Sequence, residues 1–246
     1  MDRFQDSAGV PWHGREFSDN AFANDDGSSP PALAKVFESL VLDKSDLFSA
    51  LETSRVLIPL IAQLGESEIG SHGHTVDKSA ELSIVAVSTP DNQTALPVFS
   101  SVEQMQLWNK AARPVPVDMR RVALAAIAEG HTRVVLDAGS RALVLRRPML
   151  SALAQSMPWA PPHRSPDFGL MVEEAKSGSS AIVDFQLIDG DAQCNLAGPE
   201  LIVQLSVNPG LSKEELDAEL AGFTATLQKT KFLELVDSVS FKILSA

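Results

Sequence analysis

Residues 82–108 read LSIVAVSTPDNQTALPVFSSVEQMQLW, and the order of residue types in this stretch decides the fold. Leu82, Ile84, Val85, Ala86 and Val87 form a nearly continuous apolar run, which predicts a strand buried on both faces. Pro90, Asp91 and Asn92 are turn formers, and Leu96, Val98 and Phe99 resume an extended pattern, so the two runs predict a β-hairpin. Proline has no N–H to give to a ladder. Pro97 therefore places the second strand at an edge or begins its paired part. Ser100 with Glu103, and Ser101 with Gln104, both stand at capping-box spacing, so a helix is expected to start at one of the two serines. Its positions Val102, Met105 and Trp108 lay an apolar stripe toward the sheet.

Working outward, residues 1–29 are rich in Asp, Asn, Ser and Gly, yet Trp12, Phe17 and Phe22 recur every five residues. A solvated tail has little use for such side chains, so an extended arm lying on the body is expected. Ser29 followed by Pro30 and Pro31 predicts a helix start with Ser29 as cap, and Leu33, Val36, Phe37, Leu40 and Val41 give its apolar face. A short helix over 46–51 and a strand over 56–61, interrupted by Pro59, follow. Residues 64–80 form a polar loop carrying His72 and His74. With Asp77 they could be drawn as a metal site, but a structural zinc takes four ligands, and a solvated loop is the expectation.

Arg113 to Val117 is extended because of its two prolines. Asp118 then caps a helix that ends at Glu129 before Gly130, with Val122, Ala123, Ala126 and Ile127 as its packing face. Residues 133–137 and 141–145 flank a glycine turn as a second hairpin, and 149–157 is a helix. A proline-rich linker intervenes. Beyond it come strands at 181–188 and 200–207, a helix opened by Ser212 and Glu215, and a last strand within 233–244. The expected fold class is α+β, with two small domains, each a mixed or antiparallel sheet packed with helices. The boundaries are an extended arm over 1–29, an α+β domain over 30–157, a linker over 158–167 and a smaller β-β-α-β domain over 168–246.

Hydrophobic residues make up 44% of the 246, enough for a real core. The longest wholly apolar runs are far short of the ~20 residues that cross a bilayer. A single cysteine, Cys194, excludes an internal disulfide framework, and no secretory segment opens the chain, so the expected location is cytoplasmic. A net charge of −12 argues against nucleic acid as the main partner. The charge is uneven: residues 110–147 hold 3 acids and 8 bases, between two acidic segments. Those bases either meet acids within the folded chain or form a docking face for an acidic partner.

Motifs for chemistry are missing. There is no phosphate-cradling glycine loop, no dinucleotide turn and no nucleophile elbow, so no cofactor is expected. Ser100 and Ser101 follow a strand but have no histidine placed to activate them, and capping accounts for both. Cys194 lies close to Asp189 and Asp191, which disfavour a thiolate, and is expected to be an ordinary small apolar residue.

The unit of apolar strand, turn, LPVFSSVE over 96–103 and a helix reaching Trp108 resembles the N-terminal domain of the SseB family, the enhanced serine sensitivity proteins. The strand at 133–137 before a glycine turn and the residues from Leu153 to Trp159 fit the same resemblance. The arm from Pro11 to Gly27 resembles the extension of members from high-GC Gram-positive bacteria, and the β-β-α-β tail is similar to a C-terminal domain that some members carry. Three positions depart from the family pattern: Ser100 replaces threonine, Asp91-Asn92 replaces an Asp-Gly turn, and Asp137-Ala138 replaces an acid or amide followed by proline. The resemblance implies an α+β domain and transfers no catalytic residue. The resulting expectation is a non-catalytic, cytoplasmic protein-interaction or adaptor module that docks an unidentified protein partner through Arg120, Arg121, Arg146 and Arg147. The alternative is an amino-acid or nucleotide sensor, or a weak enzyme, with its pocket beneath the linker near Trp159 and His163.

Overall fold

A computed structural model describes residues 21–63 and 81–246. Its elements run α1 (Pro31–Glu38), α2 (Lys44–Glu52), β1 (Arg55–Gln63), β2 (Glu81–Ile84), β3 (Val87–Ser88), β4 (Thr94–Val98), α3 (Val102–Trp108), β5 (Arg113–Asp118), α4 (Met119–Ala128), β6 (Arg133–Leu136), β7 (Leu143–Arg146) and α5 (Arg147–Gln155). Then follow α6 (Pro166–Ser177), β8 (Ile182–Asp189), β9 (Leu201–Val207), α7 (Lys213–Gln228), α8 (Phe232–Leu235) and β10 (Val239–Ser245). The fold is α+β.

The opening stretch is not one buried strand. Residues 81–84 pair antiparallel with β1, whereas Val87 and Ser88 pair with β4, so the run divides between two sheets at Val85 and Ala86. Two prolines account for the division. Leu57 and Phe99 exchange hydrogen bonds of 2.8 and 2.9 Å. Because strand residues alternate in direction, Pro59 faces the same side of β1 as Leu57, and Pro97 the same side of β4 as Phe99. Continuing the register Leu60↔Ile84 sets Val85 opposite Pro59, and continuing Val87↔Ala95 sets Val85 opposite Pro97. Neither proline can donate, and both ladders end where a donor is missing. Pro114 and Pro116, by the same alternation, turn away from β1 toward the outer side of β5.

The resulting sheets have the orders β2-β1-β5 and β3-β4-β6-β7. Leu33, Leu51, Val56, Val98, Leu136, Leu145 and Leu150 are fully buried between the second sheet and helices α1, α2, α4 and α5. One expectation about a helix start is corrected, and one is narrowed to a single residue. Pro31 is the first residue of α1, which makes Pro30 the cap, and the Ser29 hydroxyl has no hydrogen-bond partner among the described residues. Ser101 alone caps α3, accepting from the Gln104 N–H at 3.2 Å. Within α4, Val122, Ala123 and Ala126 face inward as expected, but Ile127 falls outside that arc and is 44% exposed.

A second core lies beyond residue 160. The sheet β10-β9-β8 has β9 antiparallel to β8 and parallel to β10, and β9 alternates buried and half-buried residues along its length. Phe168 of α6, Phe223 of α7 and Phe232 of α8 cover its inner face. The strands and the long helix follow one another as β8, β9, α7 and β10, with the short helix α8 added before the last strand, and Ser212 and Glu215 close a reciprocal capping box on α7. Helix α6 was not foreseen, since its Pro166 reads as part of the proline-rich linker; proline fits the first helical turn equally well.

Candidate functional site

The four arginines expected at a docking face occupy two environments. Arg120 and Arg121 open α4 and are exposed on its outer side, together with Leu124 (49%) and Ile127. Neither forms an ion pair among the described residues; Arg120 makes one long contact of 3.4 Å to the Ala154 carbonyl. Helix α4 thus presents two free cations followed by an apolar stripe at helical spacing.

Arg146 and Arg147 end β7 and begin α5, at the seam between the two cores. Arg146 is 7% exposed. Its guanidinium donates to Asp191 at 2.7 Å, Asp237 at 3.0 Å, the Ser238 hydroxyl at 3.0 Å and the Gly198 carbonyl at 2.6 Å. Arg133, its neighbour across the β6–β7 ladder, grips Asp237 with two nitrogens at 2.7 and 2.8 Å and reaches Asp91 at 3.1 Å. Burial pushes the Arg146 pKa down, but hydrogen bonds to Asp191 and Asp237 outweigh it and hold the group above its ordinary value. All the guanidinium nitrogens of Arg146 are engaged within the chain, so this residue offers no surface to a partner. Arg147 is half-buried and donates to the Val236 carbonyl at 3.1 Å.

The seam also holds Glu200, 3% exposed, whose carboxylate accepts the Asp237 N–H at 2.6 Å. Burial, reinforced by the charge of Asp237 and opposed by that N–H, Arg146 and Lys44, raises its pKa to about 7. Cys194, on the loop after β8, packs into the first core, and its carbonyl accepts the Val144 N–H at 2.6 Å. Burial raises its thiol to about 11, in line with its reading as an apolar residue. Where linker meets helix, a groove of about 240 Å³ is lined by Arg147, Gln155, Trp159, Phe168 and Leu235, among others. Trp159 is held there by Phe48 at 5.6 Å between ring centroids. His163 lies elsewhere, 3.9 Å from Asp189, and burial lowers its pKa against the pull of that acid.

A third feature was not anticipated. Asp137, fully buried, directly follows β6 with φ +56° and accepts the Ser100 N–H at 2.8 Å and the Ser100 hydroxyl at 2.9 Å. Ser100 is therefore no cap: it holds a carboxylate that burial raises in pKa despite those two donors. Arg141 approaches the same carboxylate at 3.4 Å from the surface side. The hairpin that carries both turns tightly at Gly139, where a Cβ would lie 2.7 Å from the Trp108 nitrogen. Beside this group opens a cleft of about 450 Å³ between residues 26–29, α1 and the start of α3. The pairing of Ser100 with Asp137 joins positions far apart in sequence, and only the preference for an acid at the hairpin turn hinted at it.

Among the described residues, no group of three His, Cys, Asp or Glu could hold a metal ion, and no helix is long and apolar enough to cross a membrane. His72, His74, Asp77, Trp12 and Phe17 lie outside the described residues. The first core, a sheet of order β3-β4-β6-β7 backed by helices and joined to a second sheet by the Leu57–Phe99 bridge, defines an α+β domain. Residues 32–152 match the family model of the SseB protein N-terminal domain, and through that domain the chain belongs to the SseB family. No curated protein and no solved structure matches the chain.

Proposed function

We propose that this protein works by binding another protein, without catalysis, through the outer face of α4. One observation carries the reading: Arg120 and Arg121 have no ionic partner within the described chain while Leu124 and Ile127 stand exposed beside them. Exposed cations next to an apolar stripe suit an acidic, amphipathic segment, with charge steering the approach and the stripe supplying buried area. We assign residues 168–246 to a second, smaller domain that braces this one, of the kind some family members carry, and place the protein in the cytoplasm. Affinity capture from native lysate with the wild type and with Arg120→Glu/Arg121→Glu tests the reading. The same partner should be recovered by the first and lost by the second at moderate salt. Equal recovery by both would remove α4 from the role.

The groove at Trp159 favours a second reading, a small-molecule sensor. A ligand at 100 times its dissociation constant would stabilise the protein by about 2.7 kcal/mol. A thermal-shift screen with amino acids and nucleotides in which no compound moves the midpoint would discard it.

A further inference from the structure

We propose that the cleft beside Ser100 and Arg141 binds a short peptide end, a free carboxylate with a positive charge close to it. The cleft is a built feature. Arg55 fixes its outer wall by donating to Asp25, to the Ser28 carbonyl and to the Ser100 carbonyl at 2.6 Å. Gly27 closes the same wall against α3: its carbonyl accepts the Val102 N–H at 2.8 Å, and a Cβ there would lie 2.5 Å from a Val102 methyl. At about 450 Å³ the space exceeds that of an inorganic ion and suits roughly two or three residues of peptide.

Arg141 supplies the anchor for the carboxylate. Its guanidinium stacks on the Phe37 ring, 4.2 Å from the centroid, and makes a single long contact to Asp137. Asp137 is already satisfied by the two Ser100 donors, so most of the Arg141 fork has no acceptor among the described residues. A planar fork held by an aromatic ring fits a carboxylate with two parallel hydrogen bonds. The remaining charged lining residues are Asp26, Glu38 and Glu103. They oppose a bare anion and attract a cation, which is why the ligand must carry both signs. The buried hydroxyl of Ser29, without a hydrogen-bond partner among the described residues, lies on the same wall and offers a further hydrogen bond.

Two sources supply this chemistry, a free small peptide and the C-terminus of a protein. Titration calorimetry on the full chain separates them with the tripeptide Ala-Lys-Ala as probe. The free acid should bind, and its C-terminal amide should bind more than about tenfold weaker, because the amide removes the charge that Arg141 pairs with. Acetylating the N-terminus leaves affinity unchanged if the natural ligand is a protein end and abolishes it if the ligand is a free peptide. Arg141→Gln should lose the preference for the acid over the amide. Glu38→Gln/Glu103→Gln, which touches no buried contact, should weaken the acid by a similar factor and keeps the test valid should the arginine variant fold poorly. Equal binding of acid and amide to the wild type, or no binding of the acid at millimolar concentration, overturns the proposal. None of these outcomes bears on the α4 face.

Discussion

The dipeptide Arg-Arg occurs at 120–121 and again at 146–147, and its two copies meet opposite fates. The first begins a helix whose inner arc is filled by Val122, Ala123 and Ala126, so its cations are left in water. The second ends a strand of fully packed residues, where the next side chain must point into protein. There it survives only because Asp191, Asp237, Ser238 and the Gly198 carbonyl come from the other half of the chain to receive it. A buried guanidinium without such partners would cost far more than a surface one gains. The basic segment is therefore two devices: one cation pair joins the cores and the other is free to meet something else.

Several substitutions break or sharpen that contrast. Arg146→Ala should have the largest effect, a loss of about 3–5 kcal/mol, because it strips buried Asp191 of its ionic partner among the described residues and leaves Asp237 to Arg133 alone; urea unfolding gives the value. The same variant should speed labelling of Cys194 by a thiol reagent, since that residue is held in the first core by the loop that Asp191 anchors. A midpoint unchanged from wild type would show the seam to be ornamental.

Glu200→Gln comes next. A carboxyl with a folded pKa of about 7 against an ordinary 4.5 leaves the protein most stable below pH 4.5 with respect to this group. That contribution is lost as pH rises through 7, by about 3 kcal/mol. Glutamine keeps the acceptor for the Asp237 N–H but cannot ionise. The variant should gain stability over wild type at pH 8 and show no gain at pH 4, read from paired thermal melts. Arg147→Ala, which removes one hydrogen bond to the Val236 carbonyl, should cost about 1 kcal/mol. Arg120→Glu/Arg121→Glu should change stability by less than about 0.5 kcal/mol, and its effect should appear in partner recovery alone.

Most of the architecture was legible in the sequence because it rests on local signals. The hairpin at 133–146, the Ser212 capping box and the stop at Gly130 each depend on residues within a few positions of one another. The division of the opening strand was legible in principle in the missing donors of Pro59 and Pro97, but the nearly continuous apolar run from Leu82 to Val87 masks it. Helix α6 was hidden by a proline that serves a linker and a helix start alike. What periodicity could not reveal were pairings across the chain: Ser100 with Asp137, and Arg146 with Asp191 and Asp237. Arginine spacing identified where positive charge gathers, and it could not tell which of those charges the chain itself would consume.

The outward prolines of β5 bear on behaviour at high concentration. An edge strand ordinarily offers a row of N–H groups on which another chain can build, the first step of sheet-driven aggregation. Pro114 and Pro116 delete those donors at consecutive outward positions, so a second molecule finds no ladder to extend along this edge. Replacing both with valine should turn a silent border into an adhesive one, visible as light scattering on storage while the folded stability of a single molecule stays the same.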